Sequence, residues 1–203
     1  MHISGKKYKP VPSTFNRILF ISYSMNNSLI TTKFGDAGRT RLFSGEEVSK
    51  ASSWPEAYGD LDELVSVLGL AKVKVEHPGM PGRLEQLQRE LFVVGTELAT
   101  STEKQEKLSE RIGADHVESL TVAAREVEGS IPSPMGFVLP GGTEAAAVLD
   151  IARTVSRRLE RRVVDMTDKG LVDNPHLLAW LNRLSDYLWL LARLEEGEQT
   201  IQK

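Results

Sequence analysis

The chain contains no cysteine among its 203 residues. This excludes disulfides, thiolate metal sites and a cysteine nucleophile, and it fits a reducing compartment, so we expect a cytoplasmic location. No apolar run approaches the roughly 18 residues that a membrane helix needs, which predicts no membrane partner. The four histidines, at positions 2, 77, 116 and 176, have no metal-ligand spacing, and the sequence predicts no protein-held metal and no serine-type catalytic triad.

What the sequence does contain is ordinary for a soluble protein with a core. Hydrophobic residues make up 40% of the chain and charged residues 26%. The formal net charge is −3, which argues against a general nucleic-acid surface. The length allows one large domain or two small ones, and nothing in the composition requires a division.

The first 28 residues differ from the rest of the chain. Lysines and Arg17 precede the apolar run "ILFI". A basic region before apolar residues suggests a signal peptide, but this run is shorter than the roughly 7–15 residues of such a segment. We therefore interpret residues 1–28 as an N-terminal extension, either flexible or upstream of a true start at Met25. We expect residues 29–203 to form a single domain.

From residue 53 onward, apolar residues recur at helical spacing between clear breaks. The breaks are "HPGMPG", a polar stretch at 101–113, the loop "GSIPSPMGFVLPGG" and "DKGLVDNP". Ser52 or Ser53, Thr143 and Asn174 are candidate N-caps. The pattern predicts five helices, at about 53–75, 83–99, 114–128, 144–166 and 175–195, and no strand after residue 45. We expect an all-α antiparallel five-helix bundle.

The segment "TTKFGDAGRTR" at 31–41 has the composition of an anion-binding turn. Gly35 and Gly38 allow a tight turn whose N–H groups converge, and Lys33 adds a positive charge. Asp36 would hold the turn or place a metal ion on a phosphate. No Walker A motif occurs in the chain, and an ordinary surface turn is the alternative.

The fourth predicted helix is rich in arginine. Arg153, Arg157 and Glu160 fall within about 60° of one another on a helical wheel, and the run 153–162 contains five arginines and no lysine. Arginine suits the recognition of carboxylate or phosphate, and Glu160 is spaced to orient Arg157. A solvated charged face is the alternative. The opposite, apolar face consists of Val148, Ile151, Ala152, Val155 and Leu159.

Two further segments permit either a structural or a binding role. On the fifth helix, Asn182, Asp186 and Trp189 form a stripe beside the apolar face. Asn182 would bond a nucleotide or simply lie at the surface. The loop "MGFVLPGG" carries Phe137 just before the arginine-rich helix, and it would pack on the core or line a pocket for a large flat ligand.

Taken together, these segments resemble the PduO-type ATP:cob(I)alamin adenosyltransferases. The similar segments, in chain order, are "TTKFGDAGRTRLFSGE", "PEAYGDLDELVSVLGLAK", "LQRELFVVGTELAT", "FVLPGGTEAAAVLDIARTVSRRLERRVV" and "LNRLSDYLWLLARL". They cover about residues 30–195. The resemblance implies a trimer of five-helix bundles with ATP and corrinoid bound between subunits. The implied reaction transfers the 5′-deoxyadenosyl group of ATP to cob(I)alamin and releases triphosphate.

The resemblance also implies roles for individual residues. In the ATP site, Arg157, Glu160 and Asn182 would contact the nucleotide with Arg158 nearby, and the phosphate loop would consist of Thr32, Lys33, Gly35, Asp36, Gly38 and Thr40. On the corrinoid side, Asp62 would pair with Arg153 across the subunit interface, and Phe137 would exclude the lower axial base. Arg153, Arg157, Phe137 and Asp62 would be the catalytic residues.

The implied reaction brings its own requirements. Its substrates are ATP with Mg²⁺ and cob(I)alamin formed from cob(II)alamin, so a reductase and an adenosylcobalamin-dependent client enzyme are candidate partners. Arg39 and Arg41 replace small or polar residues of relatives, and Val65 replaces a frequent asparagine. Arg39 would add a phosphate contact or face solvent. The alternatives are a non-catalytic module that binds or delivers ATP or adenosylcobalamin, and a ligand-free interaction protein, which leaves the arginine cluster and glycine turn unexplained.

Overall fold

The structure, a computed structural model, describes residues 31, 33–132 and 137–197. The predicted extension at 1–28 and Thr32 lie outside these residues. The five predicted helices are confirmed, with ends within three residues of expectation. They are α1 (Ser53–Lys74), α2 (Met80–Leu98), α3 (Ala114–Glu128), α4 (Glu144–Asp168) and α5 (Pro175–Glu196).

Side-chain caps mark the starts of α4 and α5 at the residues that the sequence predicts. The Thr143 hydroxyl accepts a hydrogen bond from the Ala146 N–H at 3.1 Å. The Asn174 side-chain oxygen accepts from the His176 N–H at 3.0 Å, and Pro175 follows at the first helical position. These bonds satisfy N–H groups that have no partner inside the helix, which is why both helices begin at these residues.

The helices run alternately up and down. Lys74 Nζ lies 2.5 Å from Glu144 Oε1, which joins the end of α1 to the start of α4. Lys169 Nζ, just after α4, lies 3.2 Å from Ser53 Oγ at the start of α1. The predicted antiparallel arrangement is therefore confirmed for α1 and α4. We name the end where α1, α3 and α5 begin the hairpin end, and the end where they finish the loop end.

The apolar stripes predicted for α2 and α5 form the core, together with buried residues of the other helices. One expectation was wrong, because Ile151 of α4 is 53% exposed. At 100° per residue, Ile151 lies about 100° from the middle of the buried stripe of α4 and so falls at its edge. The stripe residues that are buried as predicted are Leu84, Leu87, Leu91, Val94, Leu98, Leu177, Leu181, Leu184, Leu188 and Leu191.

A short hairpin precedes the helices. Strand β1 (Arg39–Arg41) pairs antiparallel with β2 (Glu47–Ser49), and Thr40 lies opposite Val48. The expectation of no strand after residue 45 was wrong, because the three residues of β2 are too few to show a period of two. The Phe43 N–H donates to the Ala99 carbonyl at 2.7 Å, so the hairpin is attached to the hairpin end of the bundle. None of the helices in the described ranges is long and apolar enough to cross a membrane.

Candidate functional site

The segment predicted to bind an anion forms a compact turn. Residues Phe34–Ala37 make one 3₁₀ turn, and the left-handed residues Lys33 (φ 59°) and Gly38 (φ 75°) lie on either side of it. A left-handed conformation is free for glycine but strained for lysine. Strain of this kind concentrates at binding loops. Asp36 and Lys33 are exposed on the turn.

Gly35 allows a second cation to approach the turn. A Cβ atom at this position would lie 2.5 Å from Lys50 Nζ, so the absence of a side chain lets the Lys50 ammonium group lie against the turn. The Lys50 N–H also donates to the Gly38 carbonyl at 2.9 Å. Among the described residues, neither Lys33 nor Lys50 has a carboxylate partner. The turn therefore presents two unneutralised ammonium groups.

The two arginines that depart from relatives already have partners. Arg39 Nε lies 2.5 Å from Glu47 Oε1 across the hairpin. The Arg41 guanidinium lies over the Phe34 ring, 4.7 Å from its centroid, in a cation–π contact. Their charges are thus used within the hairpin, whereas those of Lys33 and Lys50 are not.

Thr40 connects this segment to α1. Its side chain hydrogen-bonds with Tyr58. Burial raises the pKa of the Tyr58 phenol, and the bond with Thr40 offsets part of that rise. The phenol is therefore neutral at physiological pH and fixes the hairpin against the first turns of α1.

Two arginines of α4 are neutralised by α1. Arg158 Nε lies 3.0 Å from Asp60 Oδ1, and its Nη2 contacts Glu63. Arg162 Nη1 lies 2.9 Å from Glu56 Oε2. These ion pairs hold α1 against α4, and they occupy the guanidinium of Arg158, which the resemblance places near ATP.

Arg157 differs from these neighbours. It is exposed, and its guanidinium makes no hydrogen bond or ion pair within the part of the chain that the structure describes. Glu160 was expected to orient Arg157, but its Oε1 accepts from Asn182 Nδ2 at 3.1 Å instead. The structure therefore joins two predicted nucleotide contacts, Glu160 and Asn182, and leaves Arg157 without a carboxylate.

The stripe predicted on α5 divides between two surfaces. Asn182 faces α4, as described above. Asp186 Oδ2 accepts from Arg183 Nη1 at 3.0 Å. With Trp189 and residues of α3, these two line a cleft of about 360 Å³ between α3 and α5.

On the predicted corrinoid side, Phe137 is fully exposed in the loop that leads to α4. The far end of this loop is fixed, because the Gly142 N–H donates to Glu196 Oε1 at 3.2 Å. Arg153 Nε donates to Asp150 Oδ1 at 3.0 Å. Among the described residues of one chain, no hydrogen bond or ion pair joins Arg153 to Asp62, which is exposed on α1.

Sequence reasoning missed three buried charged residues near Arg153: Asp150, Arg193 and Glu196. One signal was available, since Asp150 interrupts the apolar run "AAAVLDIA". Arg193 and Glu196 gave none, because charged residues near a helix end are usually solvated.

The two cationic regions are separate within one chain. No hydrogen bond or ion pair of the described residues links the turn at 33–38 to Arg157.

No group of three or more histidine, aspartate or glutamate side chains able to hold a metal ion occurs in ranges 33–132 and 137–197. A cationic glycine turn and an exposed Arg157 without a described carboxylate partner are typical of a protein that binds a phosphate-bearing ligand.

The chain belongs to the cobalamin adenosyltransferase family, whose profile matches residues 30–195. It is 40% identical over 169 residues to the corrinoid adenosyltransferase PduO of Citrobacter freundii, covering 83% of this chain. The chain spans only 50% of that relative's length. It is 39% identical over 177 residues to the corrinoid adenosyltransferase of Bacillus subtilis, covering 84% of this chain and 88% of the relative.

Solved structures show the same architecture. A phenylalanine-to-alanine variant of the PduO-type ATP:corrinoid adenosyltransferase from Lactobacillus reuteri, complexed with cobalamin and ATP, is similar with a TM-score of 0.72 and 34% identity. The similarity covers 80% of this chain and 90% of that one. An arginine-to-lysine variant of that enzyme complexed with ATP gives a TM-score of 0.73 and 33% identity, over 80% and 91% of the two chains.

Proposed function

We propose that this protein transfers the 5′-deoxyadenosyl group of ATP to cob(I)alamin, giving adenosylcobalamin and triphosphate. The observation that carries the proposal is the contrast among the cations. Arg158, Arg162 and Arg39 are paired with carboxylates, whereas Arg157 and Lys33 are not. Cations left unneutralised beside a glycine turn and on an arginine-rich face suit a polyphosphate, and membership of the family supplies the reaction.

The chemistry explains why these cations matter. Cob(I)alamin donates an electron pair to the ribose C5′, the C5′–O bond breaks, and its electrons leave with the triphosphate as cobalt becomes formally Co(III). Negative charge therefore builds on the leaving oxygen. Lys33 and Arg157 stabilise that charge in the transition state. Mg²⁺ bound to the phosphates supplies further charge neutralisation, and Asp36 is the carboxylate of the turn available to help place it.

Phe137 serves the corrinoid side of the proposed reaction. Its exposed ring is free to occupy the lower axial position of the corrinoid, where it excludes a ligand without donating electrons. Cob(II)alamin that lacks an axial ligand accepts one electron more easily and becomes cob(I)alamin. That electron comes from outside the chain, so we propose a reductase as one partner and an adenosylcobalamin-dependent enzyme as recipient of the product.

We also propose that the site is completed in a homotrimer. Asp62 and Arg153 are not joined within one chain, and the phosphate turn and Arg157 are not linked either. Apolar residues at the surface, among them Val73, Leu139 and Ile151, suit burial between subunits. Light scattering should give three times the chain mass of 22.5 kDa. A stable monomer that is fully active would contradict this.

A direct experiment tests the activity. Protein, ATP, Mg²⁺ and chemically reduced cobalamin are mixed without oxygen, and the visible spectrum is followed for loss of Co(I). Arg89→Ala is a matched control, because Arg89 is exposed on α2 and its one ion pair within the described residues is with Glu85, one turn away. We expect wild type and this control to turn over equally. Capture of one equivalent without turnover would favour the alternative, a non-catalytic binding or delivery module.

A further inference from the structure

Four charged side chains form a continuous chain at the loop end of the bundle. They alternate in sign, in the order Glu196, Arg193, Asp150 and Arg153. Arg193 is 1% exposed, and Asp150 and Glu196 are also buried. Arg153 at the end of the chain is partly exposed. This row of side chains thus begins among buried residues and reaches the surface at Arg153, a predicted site residue.

The contacts in this chain are short. Arg193 Nη2 donates to Glu196 Oε1 at 2.9 Å, and its Nε lies 2.8 Å from Oε2 as an ion pair without a hydrogen bond. The same Nη2 donates to Asp150 Oδ2 at 2.7 Å. The other oxygen of Asp150, Oδ1, accepts from Arg153 Nε at 3.0 Å. The carboxylate of Asp150 is therefore held on one side by a buried arginine and holds the surface arginine on the other.

Arg193 is also connected, through Glu196, to the loop that precedes α4. Glu196 Oε1, which Arg193 already contacts, accepts from the Gly142 N–H at 3.2 Å. Gly142 ends the loop that carries Phe137. One buried guanidinium is therefore connected both to Arg153 and to the attachment point of the Phe137 loop.

The placement of Arg193 is poorly explained by stability alone. Removing two carboxylates and a guanidinium from water costs several kcal/mol per ion, and apolar residues of similar volume often stabilise a core as well or better. The two residues that precede Arg193 on α5, Leu191 and Ala192, are apolar and fully buried. A buried arginine does provide fixed geometry, because its planar fork directs each hydrogen bond.

We propose that Arg193 is a positioning residue, which sets the orientation of Arg153 through Asp150 and fixes the Phe137 loop through Glu196. The inference rests on the proposed function in one respect, namely that Arg153 and Phe137 face the corrinoid. Arg193 itself touches neither substrate. Its loss should weaken corrinoid binding and axial exclusion and leave the ATP site, which lies further along α4, unaffected.

The first test is Arg193→Lys, which keeps the positive charge but removes the planar guanidinium and its directed hydrogen bonds. We expect the dissociation constant for cob(II)alamin, titrated in the presence of ATP and Mg²⁺, to rise about 10-fold, as when partners that orient a site residue are changed. The electron paramagnetic resonance spectrum should show a smaller fraction of four-coordinate Co(II). The KM for ATP should stay within about twofold of wild type, because Arg157 and Lys33 keep their surroundings.

Arg111→Lys is the matched control. Arg111 is also bonded to two carboxylates, but at the hairpin end, where it contacts Glu97 and Asp173. This variant should lower the unfolding temperature and leave the cob(II)alamin constant unchanged. Equal weakening of corrinoid binding in both lysine variants would mean general loosening of the bundle and would overturn the proposal.

A second variant covers the case in which Arg193→Lys does not fold. Asp150→Asn keeps the shape of the carboxylate, and it should reproduce the weaker cob(II)alamin binding. In an Arg153→Ala background the same change should add little, because Asp150 acts through Arg153. Wild-type cob(II)alamin binding and spectrum in Asp150→Asn would overturn the inference. If the wild-type protein fails to consume Co(I), the proposed function is wrong. The cob(II)alamin titrations of the variants still decide whether Arg193 positions Arg153.

Discussion

Each end of the bundle contains a buried ionic cluster, and the two clusters are built from the same groups for different purposes. At the hairpin end, the carboxylate of Glu97 is 1% exposed and accepts from Arg111 Nε at 3.2 Å, the Ile112 N–H at 2.5 Å and Asn174 Nδ2 at 2.9 Å. These contacts join the end of α2 to the connections that precede α3 and α5. At the loop end, the cluster around Arg193 instead reaches Arg153 and Gly142, which the proposed site uses.

Within the described residues, the hairpin-end cluster contacts no residue of the proposed site. Arg111 also contacts Asp173 at 2.9 Å and Gln105 at 3.0 Å. Burial alone would lower the pKa of Arg111, but hydrogen bonds to Asp173 and Glu97 outweigh burial and raise it. The charge is therefore permanent. The comparison teaches that a buried ionic cluster can hold connecting segments of the fold together, as around Glu97, or support a residue of the proposed site, as around Arg193.

The largest expected effect is on stability at the hairpin end. Glu97→Ala leaves Arg111, the Ile112 N–H and Asn174 without their buried acceptor, and breaking such a cluster costs about 3–5 kcal/mol. We expect the free energy of unfolding, measured by urea denaturation, to fall by that amount. The KM for ATP and cobalamin of the folded fraction should not change. A stability loss below 1 kcal/mol would show that the two clusters differ less than their contacts indicate.

A large effect on catalysis is expected from two cations, Arg157 on α4 and Lys33 beside the glycine turn. Arg157→Ala and Lys33→Ala should each reduce turnover roughly 100-fold or more, by analogy with lost transition-state donors. Stability should be nearly unchanged, because neither side chain has a described ion-pair partner. Steady-state kinetics with preformed cob(I)alamin measures the effect. Wild-type turnover in both variants would reject the assignment of these cations to the leaving group.

Phe137→Ala should have a smaller and conditional effect at the loop end. The alanine variant admits an axial ligand, so cob(II)alamin becomes harder to reduce and the reductant-dependent rate falls. Supplying preformed cob(I)alamin should restore most of the rate, which separates this variant from Arg157→Ala. If preformed cob(I)alamin brings no rescue, Phe137 does not act by axial exclusion.

The smallest effect is expected where the hairpin meets the bundle. Burial alone would raise the pKa of Glu46, but hydrogen bonds from Lys104, Ser44 and Ser101 lower it from 4.5 to about 2. A lowered pKa stabilises the folded state above pH 4.5, and that contribution disappears as the pH falls from 4.5 towards 2. Because Glu46 is partly exposed, Glu46→Gln should cost less than about 1 kcal/mol at pH 7.

Thermal unfolding measured against pH checks this expectation. The difference in unfolding temperature between wild type and Glu46→Gln should be present at pH 7 and shrink steadily below pH 4.5. The turnover of the variant should match that of wild type. A difference that stays constant down to pH 2 would mean that the charge of Glu46 contributes nothing.

The helices could be predicted from the sequence because their signals are local. Leucine spacing and the caps Thr143 and Asn174 are all read within a few turns. Strand β2 was missed because pairing across a hairpin, not periodicity, defines three residues as a strand. The expected pair of Arg157 and Glu160 was also local, yet Glu160 bonds with Asn182 on another helix.

The buried ionic clusters could not be predicted for the same reason. The pairing of Asp150 with Arg193 joins residues 43 apart on different helices, and that of Glu97 with Asn174 joins residues 77 apart. No local pattern marks such pairs. The resemblance to the family identified candidate residues that contact ligands, whereas the residues that hold them in place emerged only from the packing.

One measurement tests the central claim most directly. Purified protein is given ATP, Mg²⁺ and preformed cob(I)alamin, and loss of the Co(I) spectrum is compared with the amounts of adenosylcobalamin and triphosphate formed. Attack on C5′ predicts catalytic turnover with one triphosphate released for each adenosylcobalamin. No consumption of cob(I)alamin, or release of ADP and phosphate in place of triphosphate, would contradict the account.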